Sequence, residues 1–417
     1  MLDKVLSQIK PTKVEEKKVT KIVDSFLKIL QKSIGSKAKV ILGGSSAKDT
    51  WLSGNHDVDV FVQFDYNLFA SKSNQLSENL ELILKKTFPK IKIERVHGSR
   101  DYFQLIYHGY NFEVVPILKI DNADKAVNIT DVSPLHTQWV NTHAKNIKNE
   151  IRLAKQFCKA NKIYGAESYL GGFSGYVIEI LVATYGSFID FLKASQKWKK
   201  KEVIDPSKFY KKDALFHLNK SKTQSAIIVI DPVDKKRNAA AALTAEKVKL
   251  LQKKAKEYLA KPSASFFDKK FLTKEFVEKM AGKKPLVILT AIPQNGKEDV
   301  IGMRMMKVFE FLKNELSSFE IIEGDWEWNG EVKYYFILNK NNLPDIQVRQ
   351  GPPLTMKENV KDFKKKKSRT YEKDGRIMAE IKTKCPKLKD FVEYTIKQKY
   401  IVDKVKKINI VLVEDNS

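Results

Sequence analysis

Two aspartates separated by one residue are the first feature of the sequence that could do chemistry. Asp57 and Asp59 lie in DVDVFVQF, whose first half alternates polar and apolar residues as a half-buried strand does. Both carboxylates then project from one face, where like charges repel unless cations lie between them. Oxygen ligands favour Mg²⁺ or Mn²⁺ over zinc. The pair therefore predicts a site for two divalent metals that activate a hydroxyl and stabilise a leaving pyrophosphate, although exposed strands also carry acids simply for solubility.

A glycine-rich turn comes shortly before this strand. Gly43 and Gly44 follow the short apolar strand KVIL and lead into Ser45 and Ser46 at a predicted helix start. Such a turn offers backbone N–H groups and hydroxyls to a triphosphate. A glycine pair alone predicts only a turn, but here the turn and the aspartate strand can face each other across one pocket.

A third carboxylate from a neighbouring strand would complete the metal site. Glu113 lies inside the alternating strand NFEVVPI and is the predicted third ligand. Asp101 and Asp121 flank strands and are predicted to be turn residues.

The elements that must position these residues predict an α+β, multidomain protein. Residues 1–135 contain a helix at 14–34, strands at 39–42 and 57–64, a helix at 75–88, and the strands IKIERV, DYFQLIYH and YNFEVVPIL. Residues 136–262 are largely helical and end in the strand AIIVID and a helix at 243–261. Residues 263–417 alternate strands and helices, as many RNA-binding modules do.

The chain is strongly basic. Its 417 residues allow about two to four domains. Its 76 Lys and Arg against 50 Asp and Glu give a net charge of +26. This excess predicts a polyanionic partner, nucleic acid first and an anionic membrane surface second. The alternative is a lysine-rich proteome that solvates its protein surfaces with lysine.

The remaining composition points to a reducing cytoplasm and to no membrane partner. Cys158 and Cys385 lie outside any C-x-x-C spacing, which argues against a disulfide framework or a zinc ribbon. The N-terminal segment MLDKVLSQIKPTKVEEKK has no apolar core of a signal peptide. The longest apolar run, YVIEILVATYG, is interrupted by Glu179 and predicts a buried helix.

The order of these motifs resembles a known family. A strand, GGS, a helix and DVDV with a later acidic strand position resemble the DNA polymerase β-type nucleotidyltransferase superfamily. GGSSAKDTWL, DVDVFV, FEVVPI, NKIYGAESYLGGFSGY and VIDPVDKKRNAAAAL resemble its archaeal, class I CCA-adding tRNA nucleotidyltransferases, and QVRQGPPL and YEKDGRIMAEI resemble that family's C-terminal region. The matches cover nearly the whole chain.

The resemblance implies a domain order and a reaction. A polymerase β-like catalytic head would occupy residues 1–135, a central helical nucleotide- and tRNA-binding domain 136–262, and a C-terminal α+β tRNA-binding region 263–417. The implied activity adds C, C and A to the tRNA 3′ end from CTP and ATP, without a nucleic-acid template and with release of pyrophosphate. The implied partner is the tRNA acceptor stem and 3′ end, and a homodimer is left open.

The resemblance also assigns residues. Asp57, Asp59 and Glu113 would be the catalytic carboxylates and would ligate two Mg²⁺ ions, with Mn²⁺ as the alternative, and one of them would help to activate the tRNA 3′-hydroxyl. The positions matching the family's nucleotide-binding residues are Gly44, Ser45, Lys48, Ser133, His136, Lys155, Tyr164, Asp231 and Arg237.

These nucleotide-binding positions fall into groups by role. Gly44 and Ser45 would hold the triphosphate, and Lys155 and Tyr164 would lie on the triphosphate and sugar side. Ser133 and His136 would contact the nucleotide, and Asp231 and Arg237 would lie beside the base, since a guanidinium fork suits paired acceptors. Without the match, Ser133 predicts a helix N-cap and Lys155 a solvated lysine. DPVD with KKRN then predicts a turn and a helix start.

The sequence departs from the family pattern at four positions. Asp57 stands where glutamate is usual, and Glu113 where aspartate is usual. Both changes keep the negative charge but alter how far the carboxylate extends from the backbone. Lys48 replaces an arginine and loses its bidentate fork. Gly171 replaces a basic residue and loses its contact. These departures put nucleotide affinity and the choice between C and A in doubt.

The RNA-binding surface is predicted from charge and aromatic residues. Residues 193–222 hold ten lysines against three acids, and residues 361–369 hold six basic residues and one acid. Trp326, Trp328, Tyr334 and Tyr335 are candidates for base stacking, although each feature alone is more often core or solvated surface.

Two other functions stay open. A poly(A) polymerase-like or oligoadenylate-synthesising enzyme shares the same carboxylates. A non-catalytic RNA-binding relative is the second alternative, and the intact Asp57 and Asp59 with Glu113 argue against it.

Overall fold

The computed structural model describes residues 1–55, 57–210, 213–269 and 271–414. Contacts divide the chain into two units, Met1–Lys269 and Lys270–Ser417. The first unit contains, in chain order, α1 (Leu2–Ile9), α2 (Lys13–Ile34), β1 (Ala38–Leu42), α3 (Gly44–Ala47), β2 (Asp57–Phe64), α4 (Tyr66–Phe69), α5 (Leu76–Thr87), β3 (Glu94–Val96), β4 (Tyr102–Tyr107), β5 (Tyr110–Leu118), α6 (Ser133–His143), α7 (Lys148–Ala160), α8 (Gly175–Tyr185), α9 (Phe188–Ser195), β6 (Glu202–Ile204), α10 (Ala214–His217), β7 (Ile227–Asp231), β8 (Asp234–Asn238) and α11 (Ala245–Ala260).

A mixed sheet with the strand order β1-β2-β5-β4-β3 forms the N-terminal half of the first unit. Strands β2 and β5 run parallel, and each other neighbouring pair is antiparallel. The apolar stripe of α2 packs on this sheet, because its buried residues recur every three or four positions. Thr12 caps the start of α2 by accepting from the Glu15 N–H, and Gly35, with φ of 65°, ends it.

Helices α6 to α9 and α11 form the second half of this unit around one aromatic-rich core. Phe157, Phe188 and Tyr258 meet there with ring centroids 5.5 to 5.7 Å apart. Helix α1 also packs on this core, since Val5 belongs to the same buried cluster. The predicted strand and closing helix at the end of this region are confirmed as β7 and α11.

Helices α8 and α9 are the most apolar pair of the chain. Among the described residues, no single helix has both the length and the apolar composition needed to cross a membrane, and α8 with α9 meet that criterion only together, as a pair bent by 95°. Gly186, in the left-handed conformation with φ of 91°, ends α8, and Ser187 caps α9.

The second unit contains two antiparallel sheets, with strand orders β10-β11-β9-β15 and β12-β14-β13. Its elements are α12 (Lys274–Ala281), β9 (Leu286–Pro293), α13 (Glu298–Glu315), β10 (Ile321–Asn329), β11 (Glu331–Leu338), β12 (Ile346–Pro353), α14 (Lys357–Lys366), β13 (Arg369–Lys373), β14 (Arg376–Lys382), α15 (Leu388–Ile396), α16 (Lys399–Val402) and β15 (Val405–Glu414). The fold class is therefore confirmed as α+β and multidomain. The domain boundaries at 135/136 and 262/263 stay predictions.

The stacking role expected of Tyr334 and Tyr335 is wrong. Their side chains are 0% and 3% exposed, on opposite faces of β11, and pack in two hydrophobic clusters. Trp326 and Trp328 are half-buried against the first of these clusters. The aromatic run of β11 is core because both faces of the strand are covered, one by a cluster that includes Phe309 of α13 and the other by a cluster that includes Val277 of α12.

Candidate active site

The glycine turn lies directly against the aspartate strand. The Gly43 N–H donates to the Asp59 carbonyl over 2.8 Å. Gly44 has φ of +55°, and a Cβ built on it would lie 1.6 Å from Asp59 Oδ2. Only glycine combines that backbone conformation with so close an approach. The turn therefore brings Gly43 and Gly44 into contact with Asp59, one of the predicted metal ligands.

The sheet register places the predicted carboxylates side by side. Asp57 is paired with Asn111 and Asp59 with Glu113 across the parallel strands β2 and β5. Asn111 donates to Asp57 over 3.2 Å, and Gln104 donates to Glu113 over 2.7 Å. The three carboxylates thus share one face of the sheet.

The electrostatics of this face suit a cation. Burial raises the pKa of Asp59, the charge of Lys48 opposes this rise, and the charge of Asp57 adds to it. All donors are carboxylate oxygens, which suit hard divalent ions. Within the described residues, no three His, Cys, Asp or Glu side chains already converge as a metal cage.

A buried charge cluster lies beside the glycine turn. Lys48 and Lys155 donate to the two oxygens of Glu179 over 2.8 and 2.7 Å. Thr50 donates to Glu179 over 2.6 Å and accepts from Lys155 over 2.9 Å. The alternative of a solvated Lys155 is wrong, because the side chain is 4% exposed. Lys155 instead lies among charged partners next to the turn.

Tyr164 is brought to the same place. A Cβ built on Gly175, at the start of α8, would lie 2.8 Å from the Tyr164 hydroxyl and 3.8 Å from Lys155 Nζ. Burial raises the pKa of Tyr164, so its hydroxyl keeps its proton. The two residues predicted on the sugar side therefore lie together. Ser133 is the first residue of α6 but does not cap it, so the N-cap alternative is wrong.

Asp231 organises the residues predicted beside the base. It is fully buried and accepts from Arg237, from His136 Nε2 over 3.0 Å and from the Tyr176 hydroxyl over 3.0 Å. The Val233 N–H donates to it over 3.1 Å. Arg237 keeps 30% of its side chain exposed. Asp231 thus positions Arg237 and His136, while part of the Arg237 side chain stays accessible.

The charge states in this group follow from burial. Burial lowers the pKa of His136, so the ring is neutral at neutral pH and donates Nε2–H. Burial alone raises the pKa of Asp231, but the hydrogen bond from His136, the charge of Arg237 and the hydrogen bond from the Val233 N–H outweigh it and lower the pKa to about 2. The His136 ring stacks on Tyr176 with centroids 4.1 Å apart. Arg237 is thus held by a permanent carboxylate.

Replacing Asp231 with asparagine removes this acid-sensitive anchor. The folded pKa is lowered from 3.8 to about 2, so the stabilisation is present above pH 3.8 and is lost as the pH falls towards 2. We expect Asp231 to add about 2 kcal/mol to the free energy of unfolding at neutral pH through this linkage. Urea unfolding of wild type and of Asp231→Asn between pH 6 and 2.5 measures this contribution. The difference between their free energies of unfolding should disappear as the pH falls.

The matched control for this measurement is Asp190→Asn. Asp190 is an exposed acid that pairs only at the surface with Lys193 and Ser187. Its replacement is expected to leave the pH dependence of unfolding nearly unchanged. A difference between wild type and Asp231→Asn that stays constant with pH would contradict the assignment.

The position of Gly171, where the family pattern has a basic residue, cannot take a side chain in this conformation. Its φ is +59°, and a Cβ there would lie 2.5 Å from Thr244 Cγ2. The Thr244 N–H also donates to the Gly171 carbonyl over 2.9 Å. The absence of a side chain at position 171 therefore goes with the close approach of this residue to Thr244, the N-cap of α11.

Sequence reasoning missed the partners that hold the site together. Glu179, Tyr176 and Thr50 contact the predicted residues but were not predicted themselves. The only signal for Glu179 was a single acid inside an apolar helical run. The structure places the glycine turn against Asp59 and places Lys155 near Tyr164, whereas the roles of these residues stay predictions. A cavity of about 500 Å³ beside α6, lined among others by Asp121, Trp139 and Asp234, contains none of the predicted residues.

Family models match three parts of the chain. Residues 149–268 match the second domain of tRNA nucleotidyltransferases. Residues 298–408 match the C-terminal domain of CCA-adding enzymes. Residues 1–154 match the second messenger oligonucleotide or dinucleotide synthetase domain.

Known proteins are similar over most of the chain. The CCA-adding enzyme of Nanoarchaeum equitans is 34% identical over 94% of this chain and 94% of its own length. That of Pyrococcus abyssi is 33% identical over 84% of this chain and 80% of its own length. A solved structure of the Cid1 poly(U) polymerase, 13% identical, covers 64% of this chain and 98% of its own with a TM-score of 0.50, which bears on the fold alone.

Proposed function

The chain belongs to the archaeal, class I branch of the CCA-adding tRNA nucleotidyltransferases, in the DNA polymerase β-type superfamily, and from this premise we propose its reaction in detail. It is an enzyme that adds CCA to tRNA without a nucleic-acid template. We propose CTP and ATP as nucleotide donors, pyrophosphate as the second product, and the acceptor stem and 3′ end as the part of tRNA that binds. The observation that carries the proposal is the contact of the glycine turn with Asp59, beside Glu113 in the paired strand.

The reaction uses divalent metal ions, as this enzyme family generally does. We propose two Mg²⁺ ions, with Mn²⁺ as the alternative, held by Asp57, Asp59 and Glu113. Bound at this place, they would supply the charge that lowers the pKa of the tRNA 3′-hydroxyl and neutralises the leaving pyrophosphate. The fit rests on an all-oxygen donor set on one sheet face and on the repulsion between Asp57 and Asp59, which a cation relieves.

Individual residues of the chain have separate roles in binding the triphosphate and in moving the proton. Gly44 exposes its backbone to the triphosphate, and the Ser45 hydroxyl adds a donor. Lys48 and Lys155 supply positive charge next to the phosphates, since both lie in the cluster beside the turn. One of the three carboxylates accepts the proton of the tRNA 3′-hydroxyl. In-line attack on the α-phosphate then releases pyrophosphate.

The base and sugar side belongs to α6, α8 and the β7–β8 hairpin. We propose that Arg237 donates to acceptors on the cytosine or adenine edge, held by Asp231. His136 and Ser133 complete this side from α6, and Tyr164 contacts the sugar. The neutral His136 is a hydrogen-bond donor only through Nε2, which Asp231 already accepts. We therefore propose that His136 holds the ring of Tyr176 in place by stacking on it.

Basic cavities supply surfaces for the tRNA backbone. In the first unit, Lys199, Lys200, Lys201 and Lys249 line a cavity of about 640 Å³. In the second unit, the lysines of α14 line one of about 580 Å³. These lysines lie in or near the basic segments singled out from the sequence, and phosphate neutralisation by lysine makes binding salt-dependent.

The test is incorporation onto tRNA that ends at the discriminator base, with the product ends sequenced. Given CTP and ATP together, we expect C, C and A to be added in that order, with synthesis stopping there. With CTP alone, the product should end after C and C. Open-ended tailing with ATP alone would contradict CCA addition and favour the poly(A) polymerase-like alternative.

The oligoadenylate-synthesising alternative has one observation in its favour, the match of residues 1–154 to the oligonucleotide synthetase domain. Incubation with ATP and no tRNA tests it, because only that alternative gives short free oligonucleotides. A homodimer stays a prediction, which the molar mass in solution tests.

A further inference from the structure

Glu179 is an acid fully buried in the apolar helix α8, with 1% of its surface exposed. A buried carboxylate persists only when it is paired and hydrogen-bonded. We propose that Glu179 is a positioning residue, which holds Lys48 and Lys155 in place for the triphosphate of the incoming nucleotide. This inference rests on the proposed function, because it needs the triphosphate to bind beside the glycine turn.

The geometry supports this role because each oxygen of Glu179 serves a different lysine. Oε2 accepts from Lys48 over 2.8 Å, and Oε1 accepts from Lys155 over 2.7 Å. Lys48 follows the glycine turn, whereas Lys155 lies in α7. One carboxylate thus sets the position of two ammonium groups that come from separate elements.

Thr50 connects the Glu179 carboxylate to the loop that follows the glycine turn. Its hydroxyl donates to Glu179 Oε1 over 2.6 Å, and Lys155 donates to the Thr50 hydroxyl over 2.9 Å and to its carbonyl over 3.3 Å. These two bonds and the one to Glu179 use the three protons of the Lys155 ammonium, so Lys155 acts on the triphosphate through its charge and not through a hydrogen bond of its own. Glu179 therefore holds the loop after the glycine turn at two points, Lys48 through Oε2 and Thr50 through Oε1.

The charge balance of the cluster leaves room for an anion. Two ammonium groups that are 8% and 4% exposed, Lys48 and Lys155, face the Glu179 carboxylate. Their charges also act on Asp59, whose own charge the bound metal ions would neutralise. A net positive charge at a buried place is costly unless an anion lies close to it. Lys48 Nζ also lies 5.1 Å from the centroid of the Tyr176 ring. The cluster is thus a preorganised cation pair beside a phosphate-binding turn.

The charge of Glu179 is stable at the pH where the enzyme works. Burial raises its pKa, but the charges of Lys155 and Lys48 and their hydrogen bonds outweigh this effect and lower the pKa to about 2. Glu179 therefore stays ionised and keeps both lysines paired. It does not face the reacting atoms, and it acts through the lysines.

A purely structural ion pair predicts a different kinetic result. Loss of such a pair lowers the amount of folded enzyme, so the rate falls at every nucleotide concentration. Loss of a positioning residue leaves the folded enzyme with displaced lysines, which weakens triphosphate binding. The split between KM and kcat therefore distinguishes the two roles.

The test is steady-state CCA addition by full-length Glu179→Gln. We expect KM for CTP and for ATP to rise about ten- to a hundredfold, because displaced binding groups lose that much. KM for tRNA and kcat should change by less than about threefold, since the carboxylates of the metal site are untouched. Glu179→Asp keeps the charge but is one methylene shorter, and it should rescue part of the nucleotide affinity.

The control is Glu257→Gln, the same change at a half-buried glutamate of α11 that pairs with Lys254. It should leave both KM values unchanged. If Glu179→Gln does not fold, Glu179→Asp still carries the test, and so does Glu179→Gln combined with Lys155→Met, which removes the excess ammonium. In that double variant, Lys155→Met should cost less nucleotide affinity than it costs in wild type.

Two results separate the failure of this inference from failure of the proposed function. Folded Glu179→Gln and Glu179→Asp with wild-type KM for CTP and ATP would overturn the positioning role while wild type still adds CCA. Strictly additive effects of Lys155→Met and Glu179→Gln would overturn it too. Wild type that adds no CCA to tRNA would instead reject the function itself.

Discussion

Asp59→Asn is expected to reduce nucleotide incorporation onto tRNA about a thousandfold or more. Asparagine keeps the shape of the side chain but removes the charge that a divalent ion needs, and electrostatic groups of this kind are worth at least about a hundred- to a thousandfold in rate. The residue lies between the glycine turn and Glu113. Single-turnover incorporation of CTP at saturating Mg²⁺ measures the effect on chemistry.

Asp121→Asn is the matched control for this prediction. Asp121 is an exposed acid outside the strands that pairs with Lys125, so its replacement should leave the rate within about twofold. The fold of Asp59→Asn should persist, since burial raises the pKa of this acid and its charge does not stabilise the protein. A folded Asp59→Asn enzyme that incorporates CTP at the wild-type rate would reject the assigned metal site.

Gly44→Ala is expected to lower the incorporation rate about a hundredfold by a steric route. The new Cβ would lie 1.6 Å from Asp59 Oδ2, in a backbone conformation with φ of +55°. Either the turn or Asp59 must move, and a displacement of about 1 Å near the chemistry costs about a hundredfold in rate. The free energy of unfolding should also fall by about 2 kcal/mol, from strain and the clash. Incorporation rates and urea unfolding measure the two effects.

Gly54→Ala separates strain from the clash. Gly54 has φ of +75°, but nothing lies within 4 Å of a Cβ built there. We expect a loss of about 1 kcal/mol in the free energy of unfolding with incorporation within about twofold of wild type. If Gly44→Ala retained similar activity, the glycine turn would not be in contact with the reacting groups.

Sequence patterns predicted most of the local structure because local structure depends on neighbouring residues. The strand β2, the helix α2 and the pair α8 and α9 follow from alternation and helical periodicity. Short strands were harder to predict. β8 was expected as a turn and helix start because DKKRN has no apolar alternation, yet it pairs with the buried β7. Tertiary pairing overrode local preference there.

The sequence predicted the individual residues of the candidate site but not the contacts between them. The glycine turn, the carboxylates and the nine nucleotide-binding positions could be read from the order of the motifs. The structure adds how they touch. Asp231 is a buried anchor of Arg237, and Lys155 is a buried member of a charged cluster. Neither could be foreseen from the lysine or the aspartate alone, because burial is a property of the packed chain.

By itself, the sequence determined the family and the reaction and predicted the residues of the site, because motifs in a fixed order carry that information. Only the tertiary structure decided the partners. Glu179 meets Lys48 across 131 residues, and Asp231 meets His136 across 95. Such pairs form when helices and strands pack, and packing is set by the whole pattern of apolar surfaces rather than by any one segment. The same packing buried Tyr334 and Tyr335 and so removed them from the RNA-binding surface.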